Sequence, residues 1–172
     1  MKYIGKGAFT KCYLMDCGKR VQLVTCDPVK EAMAWGWFPD SPLFPKLSFV
    51  DVGVYEMDYY PGTRGLKSEL EPEQWEIYQA LRQVFSLNVH VERKADLYSA
   101  WYKAFEQAAD AYSGSYIEVA FRDLMEALDA CANFGSDIAF EISPRNVRAF
   151  NGKLILLDCF FLVSKLEEVK SK

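Results

Sequence analysis

Residues 141–158 read Glu141-Ile-Ser-Pro-Arg-Asn146-Val-Arg-Ala-Phe150-Asn-Gly152-Lys-Leu-Ile-Leu-Leu157-Asp158. Asn151-Gly152 separates two strand-like runs, Val147–Phe150 and Lys153–Leu157, and an Asn-Gly pair so placed is the strongest short-range hairpin signal. Before the hairpin lies a polar turn with a carboxylate, Glu141, and an amide, Asn146, five positions apart. Such a loop can bring both to one site, where one orients a hydroxyl and the other holds a metal ion. After the hairpin the apolar run ends in Asp158. An acid at the end of a buried strand needs a partner, and a divalent ion is one. Taken singly, each segment is also explained by an ordinary polar loop or a turn-capping aspartate.

Upstream of this stretch the sequence reads as helices. Pro72 to Phe85 carries Trp75, Tyr78, Leu81 and Phe85 at helical spacing, and Lys94 to Tyr112 carries Leu97, Trp101, Phe105 and Ala108 on one face. Ser115-Tyr-Ile-Glu118 has the form of a capping box. Behind it Ile117, Phe121, Leu124, Leu128 and Cys131 form an apolar stripe that stops at Phe134-Gly135. These stripes are read as core. A polar tail is expected from Ser164 to Lys172.

The first sixty residues read as strands and turns. Asp16-Cys17-Gly18 turns between two apolar runs, 11–15 and 19–26. A short helix is expected from Pro28 to Trp37, and three prolines between Pro39 and Pro45 make a loop. Two more strands follow, 46–50 and 53–59. The turn-rich Pro61-Gly62-Thr-Arg-Gly65 divides the chain into residues 1–62 and 63–172. Near the start, Ile4-Gly5-Lys6-Gly7-Ala8-Phe9-Thr10 has glycines two apart, which let a strand-turn-strand flap fold closely over phosphates with backbone N–H groups inward. Val54-Tyr-Glu-Met-Asp58-Tyr59-Tyr60 is a strand running into a short connector with free backbone donors and acceptors.

Composition bounds the function. With 51% hydrophobic and 15% aromatic residues, 172 residues bury a substantial core, which excludes a disordered chain or a disulfide miniprotein. A net charge of −4 argues against an electrostatic grip on nucleic acid. No run of 18 apolar residues is present to span a membrane, and Met1-Lys2-Tyr3-Ile4-Gly5 does not start a signal peptide. The five cysteines, Cys12, Cys17, Cys26, Cys131 and Cys159, are odd in number and scattered, with no CxxC pair and one histidine, His90. That pattern fits free thiols in the cytoplasm rather than disulfides or zinc.

Taken in order, the flap, the connector, the Glu141–Asn146 loop and the acid Asp158 resemble the protein-kinase family over residues 1 to 163. The F-x-I-S-P-x-N, N-G and L-x-D run most resembles compact phage-encoded serine/threonine protein kinases; aminoglycoside and choline kinases share a similar loop. The resemblance implies an α+β, protein-kinase-like fold with a small β-rich N-lobe and a minimal helical C-lobe. It implies ATP and Mg2+ as cofactors, with Asn146 and Asp158 holding the metal and Glu141 with them as the catalytic set. Gly5, Lys6, Gly7 and Phe9 would cover the phosphates. Cys12, Asp58 and Tyr60 would border the base. The implied activity is ATP-dependent phosphotransfer to host proteins, in the cytoplasm of the host if phage-encoded.

The chain departs from that pattern in four places. Thr10 replaces the third glycine of the loop. Leu23 stands at the phosphate-pairing lysine, so a cation from the flap is expected instead: Lys6, because Lys11 has the wrong strand parity. Glu31 would orient that lysine. Glu141 replaces the usual aspartate, and Cys159-Phe160 replace the Phe-Gly that follow the metal-binding acid. These departures keep a second reading open, a catalytically impaired pseudokinase that binds and inhibits a protein partner.

Overall fold

The computed structural model describes the whole chain, Met1–Lys172. Strands β1 (Lys2–Lys6), β2 (Thr10–Leu14) and β3 (Arg20–Thr25) form an antiparallel meander. Helix α1 (Pro28–Ala34) follows, then β4 (Ser48–Asp51) and β5 (Val54–Asp58). The five strands make one sheet in the order β1-β2-β3-β5-β4. Strand alternation sets its inner face, because Cys12 pairs with Leu23, Leu23 with Tyr55 and Val21 with Met57 across the ladders. Gly18 takes φ +68° in the β2–β3 turn, a left-handed conformation that glycine adopts without steric cost.

Asp27 caps α1, its Oδ1 accepting from Val29 N at 3.0 Å, with Pro28 in the first turn. The helix stops at Ala34 rather than Trp37, because the chain turns at Gly36 with φ +75°.

The C-terminal part is helical. Short α2 (Leu66–Glu69), absent from the sequence reading, leads into α3 (Pro72–Ser86), α4 (Leu97–Ala111) and α5 (Tyr116–Cys131). Ser115 Oγ accepts from Ile117 N and Glu118 N at 3.2 and 3.3 Å. The box is only half made, since Glu118 reaches back to Gly114 N at 2.6 Å. The apolar stripes meet as expected: Phe105, Phe121, Leu124 and Leu128 are fully buried. The architecture is α+β, with a β-rich N-terminal part and a helical C-terminal part. One continuous core runs from Val21 in the sheet to Phe160. No helix is long and apolar enough to cross a membrane. All five cysteines are free.

The hairpin read from Asn151-Gly152 is present as β7 (Val147–Phe150) and β8 (Lys153–Leu156), with φ +50° and +78° at the two turn residues. It is framed by a pair the sequence reading missed, β6 (Ile138–Phe140) against β9 (Phe160–Leu162). Three residues are too few to display an alternating pattern. The expected polar tail is a helix, α6 (Val163–Lys170). Val163, Leu166 and Val169 recur at three-residue spacing and are half-buried, and Lys165–Glu168 and Glu168–Lys172 pair along its surface.

Candidate functional site

The β6–β9 pair closes the base of the ribbon and brings its two acids together. Glu141 N donates to Cys159 O at 2.9 Å, and Leu157 N to Asn146 O at 2.8 Å. Glu141, Asn146 and Asp158 therefore share one end of the ribbon. That end is fixed from several directions. Arg82 Nη1 donates to Ile142 O at 2.6 Å, and Leu156 N donates to Leu43 O at 2.7 Å. At the far end Glu71 N donates to Gly152 O at 2.9 Å, and Lys153 Nζ is 2.8 Å from Glu71 Oε2.

Facing this end is the β1–β2 turn. Gly7 N donates to Thr10 O at 2.8 Å, and Phe9 O accepts from Cys26 N at 3.3 Å. Flap and ribbon enclose a cavity of about 370 Å³ lined by Lys6, Gly7, Ala8, Phe9, Glu141, Arg145, Asn146, Asp158, Phe161 and Leu166. Six of the residues singled out in the sequence thus line one space: Lys6, Gly7, Phe9, Glu141, Asn146 and Asp158. Arg145, a cation the sequence reading passed over, lines it too.

The others lie elsewhere. Gly5 is beside the flap but does not line the cavity. Cys12 sits half-buried on the inner face of the sheet opposite Leu23, and burial pushes its thiol up. Asp58, opposite Arg20 at the end of β5, pairs with that guanidinium at 3.3 Å. Tyr60 packs its ring edge-on to Phe150, centroids 5.1 Å apart, which ties the connector after β5 to the ribbon. Burial, and after it the Asp58 carboxylate, raise the Tyr60 hydroxyl pKa. Lys11 lies opposite Val24 on the outer face, as parity requires.

The expected role of Glu31 is not borne out by its position. Helical phase turns Val29, Lys30, Ala32 and Met33 inward and leaves Glu31 exposed, lining a different cavity on the far side of α1. Lys30 points toward the ribbon instead. Its Nζ donates to Leu157 O at 2.6 Å and lies 3.5 Å from Asp158 Oδ1. The sequence signal was available: Lys30 falls inside the apolar arc of α1. Burial pulls its ammonium pKa down, but the Asp158 and Asp27 carboxylates outweigh this and the net shift is upward. Asp27 is pushed up to about 6, chiefly by burial, against the opposing pull of Lys30. Asp27 Oδ2 and Asp158 Oδ1 are buried without a hydrogen-bond partner.

No three His, Cys, Asp or Glu side chains converge as a metal cage. The oxygen donors on the cavity are two carboxylates, Glu141 and Asp158, and one amide, Asn146. That set suits Mg2+, which takes one or two carboxylates and completes its octahedron with water and substrate phosphates.

The larger cavity, about 510 Å³, lies between α1, the β4–β5 turn and α6. Trp35, Phe49, Tyr55 and Phe134 line it with Glu31, and none of the residues implied as catalytic, metal-holding or nucleotide-binding does.

No family model and no curated protein sequence matches the chain. Among solved structures it is similar to a complex of APH(2")-IIa with gentamicin, at 15% identity and a TM-score of 0.42, over 93% of this chain and 65% of that one. It is also similar to a ternary complex of APH(2")-IIa with streptomycin and ATP, at 14% identity and a TM-score of 0.39, over 94% of this chain and 67% of that one.

Proposed function

We propose that the chain is an ATP-dependent, protein-kinase-like phosphotransferase, with its two lobes divided at residues 62 and 63. One observation carries the reading: flap residues Lys6, Gly7 and Phe9 line the same cavity as Glu141, Asn146 and Asp158. In this reading the flap amides and the Lys6 ammonium face the nucleotide phosphates. Cys12, Asp58 and Tyr60 border the base. Asp158 and Asn146 hold Mg2+, which when bound neutralises phosphate charge. Glu141 accepts the proton of the acceptor hydroxyl. Its extra methylene relative to aspartate moves the carboxylate by roughly an ångström, which sets a low turnover unless the loop compensates. The acceptor follows from the sequence resemblance: a protein hydroxyl, on a host protein if the chain is phage-encoded.

A second reading, a pseudokinase acting through a protein partner, is favoured by Leu23. It is 4% exposed and packed in the core, so the sheet offers no cation to the phosphates.

Thermal unfolding with ATP, with and without Mg2+, separates the two. A ligand at 100 times its dissociation constant adds about 2.7 kcal/mol of stability, and a Mg2+-dependent shift of that size is expected. Asp158→Asn should remove the Mg2+-dependent part. Glu141→Gln should keep it while phosphorylation of a host lysate falls by about 100-fold. No shift at millimolar ATP would end the phosphotransferase reading.

A further inference from the structure

We infer that Lys30 is a positioning residue for Asp158: the cation that sets the metal-binding acid is carried by α1, not by the sheet or the flap. The inference rests on the phosphotransferase reading and assigns it a residue outside the set singled out in the sequence.

Four observations converge. Lys30 is 5% exposed, and lysine is almost never so buried unless it is paired. Its ammonium grips two consecutive residues, donating to Leu157 O at 2.6 Å and lying 3.5 Å from Asp158 Oδ1. The backbone just before the acid and the acid's own side chain are thus held by one group. Asp158 Oδ1 is buried with no hydrogen-bond partner, and Lys30 is the one cation within ion-pair distance of it. The other positions from which a cation was expected make no ion pair with Asp158. Lys6 lines the cavity on the exposed flap, Lys11 faces away, and position 23 is a core leucine.

The geometry also says how Lys30 acts. It does not line the flap–ribbon cavity, whereas Asp158 does, with 40% of its side chain exposed. Asp158 is therefore gripped from behind and open in front, and Lys30 works through it without touching phosphate. A methionine would fill the same space without the desolvation cost of a buried ammonium. The charge is retained where its benefit is the orientation of a carboxylate. This is the part played by outer partners of metal ligands, whose loss weakens metal affinity about 10- to 100-fold.

The test uses the full chain with Lys30→Met and Lys30→Arg, and titrates ATP by calorimetry with and without Mg2+. In Lys30→Met, metal-free ATP affinity should stay within about twofold of wild type while the gain on adding Mg2+ shrinks about 10-fold or more. Lys30→Arg, which keeps the charge, should recover most of that gain. A Lys30→Met chain whose Mg2+ gain equals that of wild type overturns the inference while the nucleotide reading stands. A wild-type chain with no Mg2+-dependent binding overturns both.

If Lys30→Met does not fold because Asp158 is left buried and unpaired, Lys30→Met/Asp158→Asn removes the stranded charge. Unfolding of the nucleotide-free single and double variants then measures the coupling of the pair. Lys30→Met should be tolerated in the Asp158→Asn background. A double variant that also fails to fold shows that Lys30 serves the core rather than Asp158, and the inference falls.

Discussion

The two walls of the flap–ribbon cavity are built on opposite principles. The flap wall is a turn at the edge of a sheet: Lys6, Gly7 and Ala8 are exposed, and an added Cβ at Gly5 or Gly7 would meet nothing within 4 Å. The ribbon wall is clamped. Its hydrogen bonds run to α1, α3, the Pro39–Pro45 loop and Thr63, and Phe160 behind it is 1% exposed. Two acids and an amide, the groups whose mutual geometry the proposed phosphotransfer would need fixed, stand on the clamped wall. The groups that in the proposed reading would only close over a ligand stand on the free one. A site of this kind tolerates looseness where contact is made by backbone amides, and not where carboxylates set charge.

The contrast can be broken most forcefully at Phe160, which packs on Phe105 and Phe140 with centroids 6.2 and 5.5 Å away. Phe160→Ala should cost about 3–5 kcal/mol in denaturant unfolding. Phe9→Ala, on the flap, should cost no more than about 1 kcal/mol. Equal losses would show that the flap is as integrated as the ribbon.

Outside the flap–ribbon cavity lies Asp27, at the start of the helix that carries Lys30. Burial holds its pKa at about 6, above the ordinary 3.8. The folded state therefore favours the neutral acid. Its contribution is fully present below about pH 4 and is lost as pH rises through about 6, a span worth up to about 3 kcal/mol. Stability of the wild type measured against Asp27→Asn across that window should show the difference opening as pH rises. A constant difference would mean that Asp27 does not titrate there.

The smallest effect compares two glycines. Gly152 has φ +78°, and a Cβ there would lie 2.9 Å from Glu71 Cγ, so Gly152→Ala should cost roughly 1–2 kcal/mol. Gly7→Ala, with open space and no left-handed backbone, should change unfolding by less than about 0.5 kcal/mol. A larger cost at Gly7 would mean that the flap backbone is constrained after all.

Local chemistry made much of this legible. Asn151-Gly152 encodes its turn in two residues, Ser115 its cap in four, and the stripes on α4 and α5 their buried faces in full periods. Strand parity placed Leu23 inward and Lys11 outward without any tertiary information. What could not be read was set by docking. β6 and β9 exist because each supplies the other's hydrogen bonds. α6 looked like a charged tail because its apolar positions are only three. Glu31, expected to orient a phosphate-facing lysine, is exposed, and the α1 residue that turns to the ribbon is Lys30. It lies on the arc of Val29, Ala32 and Met33, but a lysine on an apolar arc reads as solvent-facing until docking supplies its carboxylate.

The hydrogen bond from Lys30 to Leu157 joins residues 127 positions apart. Closing so long a segment carries a large entropic cost before any contact returns it. The helices between carry their own capping and periodicity signals, so the clamp at the ribbon is expected to close after them. Substitutions at Lys30 should then accelerate unfolding and leave the folding rate nearly untouched, a chevron with one displaced arm. In that order of events the chain would complete its flap–ribbon site last and lose it first, with most of its helices still in place when the site opens.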